Sequence, residues 1–424
     1  MDKYERTSEY ISAAWRSAVK KGDANGFLLP YDYVPPCVDG ELTDLYYWDT
    51  YFTNLGLFCD GLKDYALGNV ENLKFCLRKF GKVPNMCREN GAELASQPPL
   101  LSMMVADAYE HVRDEAFLRD SYEALLREYE FWMTERITPN GLNRYGTNCK
   151  EERRLKEVAF SYAQRVGRDI SAYSDEELLL CAKNCIAEGE SGEDHTRRFG
   201  GASFDINPID LNCHLYAFEK NMAHFSDILR KGRSEEWLSR AQTRLSRIQK
   251  YCFDCDTGVY FDYNYVTGKR TGIYCAAGYL PYVVGISRDL DGLNLINQKL
   301  LCEYGVVSCE KLPPNGEKYQ WGYPNAWAPH NYYAYLANER AGNSALAQEI
   351  VEKFLSVVAD TFEAQGKLYE KYDAVKGGKA HVDEYGTPEM LGWTAGVYQY
   401  FYKRTAHNFY KRTAHTDGGK KEII

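Results

Sequence analysis

No run of this sequence approaches the ~18 consecutive apolar residues that a membrane-spanning helix requires. The opening MDKYERTSEYISAAW is charged from its second residue and has no apolar stretch, so it does not read as a secretory signal. Basic charge is in short supply too: 60 Asp and Glu outnumber 51 Lys and Arg, and the net charge of −9 falls in no long single-sign block. Nucleic acid and anionic membrane, which both call for a basic patch, are therefore disfavoured as partners. Phosphate-cradling GxxxxGK and GxGxxG motifs are missing. The thirteen cysteines are scattered and odd in number, unlike a disulfide framework. They read as reduced core residues of a cytoplasmic protein. The lone CxxC, Cys252–Cys255, has no second pair at zinc-ligand spacing, and Asp254–Gly258 lacks the downstream ligands of a calcium loop. No metal or cofactor is expected. Nor does a Pro- or Ser-rich linker mark a boundary. A single domain over residues 1–400 is expected, then a tail over 401–424 in which Phe401–His407 and Phe409–His415 both read FYKRTAH. Oligomeric state is left open.

What is present in quantity is tyrosine, 35 copies among 14% aromatics. A Tyr- and Trp-rich pocket stacks on sugar faces while its polar atoms bond sugar hydroxyls, although most tyrosines in any chain simply pack between helices. The expected partner is a neutral small molecule. Apolar residues recur at three- and four-residue steps in Glu5–Lys21, Leu100–Leu118, Asp120–Ile137, Asp175–Cys185, Asp210–Gly232, Glu235–Cys252, Gly292–Glu303, Ala328–Ala341 and Ser344–Ala364, the period of helices. Ser344 and Asp175 read as helix caps. Thr257–Tyr265 is the clearest strand-like run. The pattern predicts an all-α chain with long loops.

Five loop-like segments concentrate Trp, Tyr, Asn, Gln, Arg and carboxylates beside Gly and Pro: Asp44–Leu57, Val83–Leu101, Glu190–Asn212, Gln320–Tyr332 and Tyr369–Val397. Working groups of a cleft concentrate in such loops. Glycoside hydrolysis needs two carboxyls flanking the bond, one protonated and one ionised. Asp194 and Glu370, one from the third segment and one from the fifth, are candidates among sixty acidic residues, with Glu384 a rival for the base. Asp194 also reads as a helix cap or an ion-pair partner of Arg197 or Arg198.

QWGYPNAWAP at Gln320–Pro329 resembles the trehalase signature QWDxPxGWAP, and LYYWDTYF at Leu45–Phe52 resembles the YxWDxYF end of the family's other signature. Matches follow in the same chain order: VPN..R and SQPP around Asn85, Arg88 and Ser96–Pro99; LNRY at Leu142–Tyr145; ESGxDxxxR at Glu190–Arg198; PIDLN at Pro208–Asn212; EKYD, EYG and GWTAGV between Glu370 and Val397. The chain thus resembles the inverting trehalases, and more distantly the related α-glucosidases and glycerate-glycoside hydrolases. The resemblance implies an (α/α)6 barrel and direct attack by water with inversion, Asp194 as general acid and Glu370 as general base. By position it also implies substrate-binding roles for Trp48, Asp49, Asn85, Arg88, Gln97, Arg198, Gln320, Trp321, Trp327 and Glu384. A neighbouring carboxylate raises the pKa of an acid, and Glu190 or Glu193 is placed to do so for Asp194, with Arg198 acting the other way. Inversion requires the two carboxyls to stand ~6.5–9.5 Å apart.

Several family positions are changed. Glu41 stands where the family has an arginine eight residues before the WD aspartate; EERRLKE at Glu151–Glu157 occupies the region of an RPES-type segment; QWD becomes Gln320–Trp321–Gly322. These changes bear on the second sugar. Trehalose is the leading substrate expected, with another α-glucoside or a glucosyl- or mannosyl-glycerate as alternative, and a non-catalytic carbohydrate-binding protein as the reading from a different class.

Overall fold

The computed structural model describes residues 1–23, 29–38, 42–87, 94–317, 319–381, 386–389 and 391–416, with side chains in the last helix through 404. Its helices are α1 (Lys3–Ala18), α2 (Tyr47–Cys59), α3 (Lys63–Phe80), α4 (Leu101–Val112), α5 (Glu115–Glu135), α6 (Glu152–Val166) and α7 (Asp175–Ser191). Then come α8 (Ile209–Ile228), α9 (Ser234–Tyr251), α10 (Leu280–Val283), α11 (Leu290–Leu300), α12 (Ala328–Arg340), α13 (Ser344–Gln365) and α14 (Gly392–Thr416).

Six of these close a ring. In the order α2, α4, α8, α10, α12, α14, each packs on the next, and α14 returns onto α2. Around them α1, α3, α5, α9, α11 and α13 form an outer layer, and the result is the expected (α/α)6 barrel. The two layers differ in sequence because they differ in surroundings. The outer α9 buries Trp237, Ala241, Arg244 and Ile248, one stripe at helical spacing. The inner α2 buries every residue from Tyr47 to Leu57, so it has no polar face to supply a period. That is why α2 and α14 are invisible to a periodicity search while α9 is plain. Burying Ile248, which is 0% exposed, contributes about 1.5–3 kcal/mol.

Between α5 and α8 an added hairpin, α6 and α7, builds a small core of its own from Leu155, Ala159, Tyr162, Ala163 and Val166 against Leu178, Ala182 and Ile186. The start of α7 carries a reciprocal capping box between Ser174 and Glu177, so Ser174, not Asp175, is its cap. Likewise Asn343 occupies the cap position of α13, one residue before Ser344. The run expected as one helix over Leu100–Leu118 breaks at Arg113, whose φ of 51° is left-handed. The strand-like run at Thr257–Tyr265 yields only the two-residue strands Val259–Tyr260 and Tyr263–Asn264. Helix α14 runs across residue 400, and Phe401 is buried in the core. All thirteen cysteines are free thiols. No helix among the described residues is long and apolar enough to cross a membrane.

Candidate active site

A cavity of 1620 Å³ is lined by Trp48, Asp49, Asn85 and Gln97 from the first two segments, Asp194 from the third, Trp321 from the fourth, and Glu370 and Trp393 from the fifth. Residues far apart in the chain therefore share one wall, and short backbone pairings hold them there. Leu45–Tyr46 pairs antiparallel with Met86–Cys87, Tyr47 N–H donates to the Asn85 carbonyl, and the Gln97 side-chain oxygen accepts from Trp48 N–H at 2.8 Å.

Asp194 follows the end of α7. The helix stops at Gly192, whose φ is 80° and where a Cβ would stand 2.4 Å from the Trp48 ring; only glycine meets both demands. The chain then passes through Asp194 to His195, held at a left-handed φ of 56°. Thr196 bridges to Trp321, its hydroxyl donating to the Trp321 carbonyl at 3.1 Å. Gln320 donates its amide to Asp194 Oδ2 at 3.2 Å. The Gln320 carbonyl is itself held by Asn325 Nδ2 (2.8 Å) and Trp327 Nε1 (3.2 Å).

Within electrostatic reach of Asp194 is Glu188, a residue the sequence does not single out. Burial pushes it up to about 8; Arg168 opposes that shift and Asp194 adds to it. Both acids expected to act on Asp194 are engaged in ion pairs. Glu190 takes two bonds from Arg136 (2.6 and 2.8 Å) and one each from the Ser96 and Gly146 amides. Glu193 is tied to Arg198 (3.1 Å) and lies 3.2 Å from His330 Nε2. Both serve the scaffold.

Glu370 is 2% exposed and precedes the strand Lys371–Asp373, which pairs antiparallel with Asn325–Trp327. Its amide donates to the Pro388 carbonyl (3.2 Å), and its own carbonyl accepts from Trp393 Nε1 (3.0 Å). Lys371 Nζ, buried over the Trp327 ring, donates to Glu370 Oε2 at 2.8 Å. A positive charge beside a carboxyl favours its ionised form. Asp49 is a further carboxyl of the cavity. Burial first, then the charges of Glu370 and Asp194, raise it well above the usual carboxylate range.

Not every residue expected at the site reaches the cavity. Trp327 lies behind Trp321, stacked at 3.6 Å with the rings 7° from parallel, and Gln320 lies behind Asp194. Arg198 is farther away, in a buried hub. Its Nε and Nη2 reach Asp262 at 2.8 and 3.0 Å, Nη2 and Nη1 reach Asp210 at 2.5 and 3.2 Å, and Nη1 reaches Glu193. All five donors are used within the protein. Burial alone would raise the Asp210 carboxyl, but the guanidinium overcomes it and holds Asp210 below its ordinary value. Arg88 and Glu384 lie outside the described residues, as does Glu41. Conversely, Trp393 was readable only as part of GWTAGV, and the cavity residues of α6 and α7 carried no signal except the departure at 151–157.

The Trehalase family's sequence model matches residues 24–406. The cytosolic neutral trehalase of Neurospora crassa is 29% identical over 423 residues, covering 85% of this chain and 57% of that protein. The chain thus spans little more than half of that relative's length. The periplasmic trehalase of Xanthomonas campestris is 29% identical over 424 residues, covering 92% of this chain and 72% of that one. Among solved structures, the neutral trehalase of Saccharomyces cerevisiae superposes with a TM-score of 0.76 at 24% identity, covering 96% of this chain and 81% of that one. A mannosylglycerate hydrolase of Thermus thermophilus, solved with Tris and D-glycerate, gives 0.62 at 17% identity and coverages of 94% and 99%. These two show a shared fold.

Proposed function

The chain belongs to the trehalase family, and on that premise we propose that it is an inverting glycoside hydrolase acting on an α-glucosidic bond, trehalose first. Asp194 is the general acid and Glu370 the general base. The observation that carries this reading is that two carboxyls 176 positions apart in the chain (370 − 194) line one aromatic-walled cavity. Their surroundings suit opposite roles. Glu370 has an ammonium against it, which favours the carboxylate a base needs. Asp194 accepts from the Gln320 amide and lies within electrostatic reach of Glu188, a carboxyl that burial pushes up to about 8.

In the reaction, Asp194 gives its proton to the glycosidic oxygen as the C1–O bond breaks, while Glu370 takes a proton from the water that attacks C1 from the opposite face. Trp48, Trp321 and Trp393 offer ring faces and edges to the sugar; Asp49, Asn85 and Gln97 offer hydrogen bonds to its hydroxyls. We place the protein in the cytoplasm, a compartment in which thirteen free thiols are kept reduced.

The test is an α-glucoside panel followed by NMR. Trehalose is expected to release one β- and one α-glucose at first; two α-glucoses would refute inversion. Asp194→Asn and Glu370→Gln are each expected to lower kcat by about 10²–10⁴, and undiminished turnover would remove the assigned roles. Turnover of a different α-glucoside or of a glucosylglycerate, with none of trehalose, would change the substrate and leave the mechanism.

A further inference from the structure

The cavity has a wall that the acid–base chemistry does not use. Arg154, Glu157, Ser161 and Arg165 line it from α6. Their spacing of three, four and four residues sets them on one helix face. The opposite face of α6 supplies Leu155, Ala159, Tyr162, Ala163 and Val166 to the small core with α7. Helix α6 is therefore amphipathic in an unusual setting, with its polar stripe turned onto the cavity that holds both carboxyls.

The stripe lies on a definite side. Helix α7 also lines the cavity through Cys185, Ile186 and Gly189, and the same chain reaches Asp194 five residues after Gly189. Cys185 is within electrostatic reach of both Arg165 and Asp194. The α6–α7 hairpin thus flanks the general acid, and the general acid faces the leaving group. Arg154 is half-buried and Arg165 exposed at this wall; Glu157 lies 3.6 Å from Arg153, which is off the stripe. A guanidinium offers five donors to sugar hydroxyls in a fixed geometry.

Resting on the glycosidase reading above, we propose that the polar face of α6 forms the leaving-group subsite, with Arg154 and Arg165 as specificity-determining residues for the second sugar.

Two substrates separate this from a merely solvated helix face. Trehalose fills both subsites; α-D-glucosyl fluoride has the same glucosyl group and a leaving group too small to touch α6. Arg154→Gln and Arg165→Gln are expected to lower kcat/KM for trehalose by about 10- to 100-fold each, the loss of a hydrogen bond from a charged donor. Their kcat/KM for the fluoride is expected to stay within about threefold of the parent, the scatter of a contact that is not made. Equal losses on both substrates, or no loss on trehalose, would overturn the assignment. A parent protein inactive on both would overturn the glycosidase reading and this subsite with it.

Discussion

Replacing Arg198 by methionine separates a structural arginine from a sugar-binding one. Methionine keeps much of the stem and removes all five donors. It leaves Glu193, Asp210 and Asp262, whose side chains are 4%, 8% and 1% exposed, without their shared cation. Removing one partner of a buried ion pair costs about 3–5 kcal/mol. Unfolding entropy of about 2.1 cal/mol/K per residue over 424 residues converts that to a fall in Tm of roughly 3–6 °C. The deficit should also depend on pH. Without the guanidinium, burial raises the folded-state pKa of Asp210 and Asp262 above the unfolded value, so the variant's stability is greatest at low pH and is lost as pH rises. The gap between variant and parent should therefore widen from pH 5 to pH 8. Arg198→Lys, with three donors on one nitrogen, should fall between the two. Thermal and urea unfolding at both pH values, with kinetics measured well below Tm, form the assay. An unchanged Tm together with a raised KM for trehalose would refute the reasoning and return Arg198 to the substrate.

Gly192→Ala places a side chain at φ 80° and 2.4 Å from Trp48; the left-handed backbone alone costs about 1–2 kcal/mol. Displacement of Trp48 should raise KM, and a variant with parental kinetics would show that the close approach is not needed. Gln320→Ala removes the amide that fixes Asp194, so kcat should fall about 5- to 10-fold for one hydrogen bond of about 1 kcal/mol, with KM less affected; a change in KM alone would assign Gln320 to substrate binding. Burial raises Asp107 and Glu128 to about 7 and Glu188 to about 8. Raised carboxyls contribute stability that is complete below the unfolded value, 3.8 for Asp107 and 4.5 for the glutamates, and is lost as pH rises through the folded one. Urea denaturation should thus find the protein less stable at pH 8 than at pH 5, and Glu188→Gln should flatten part of that decline; stability rising over this interval would contradict the assignment.

Much of the outer layer was legible because solvent on one side imposes a period: α9 and α13 can be read within a few residues of their ends. The inner ring was harder. Helix α2 is apolar or buried all round, and its sequence, DLYYWDTYFTNLGL, reads as a polar aromatic segment, not as a helix. Helix α6 carries an equally regular stripe, Leu155, Ala159, Tyr162 and Val166, yet its start, EERRLKE, reads in the sequence only as a departure from a family pattern.

By itself the sequence determined the chemistry on offer: which carboxyls, tryptophans and amides the loops carry, and an ordered set of motifs sufficient to imply a barrel and an acid–base pair. Tertiary structure decided which of those groups meet. It sent Arg198 into a hub of three carboxylates, set Trp327 and Gln320 behind the residues that line the cavity, and tied Glu190 and Glu193 into ion pairs with Arg136 and Arg198. The physical reason is that a residue's type and its neighbours in the chain fix what it can bond, while its partner is chosen by packing between helices that the chain visits far apart. At positions 188, 190 and 193 three glutamates within six residues face three different environments, and only the folded barrel distinguishes them.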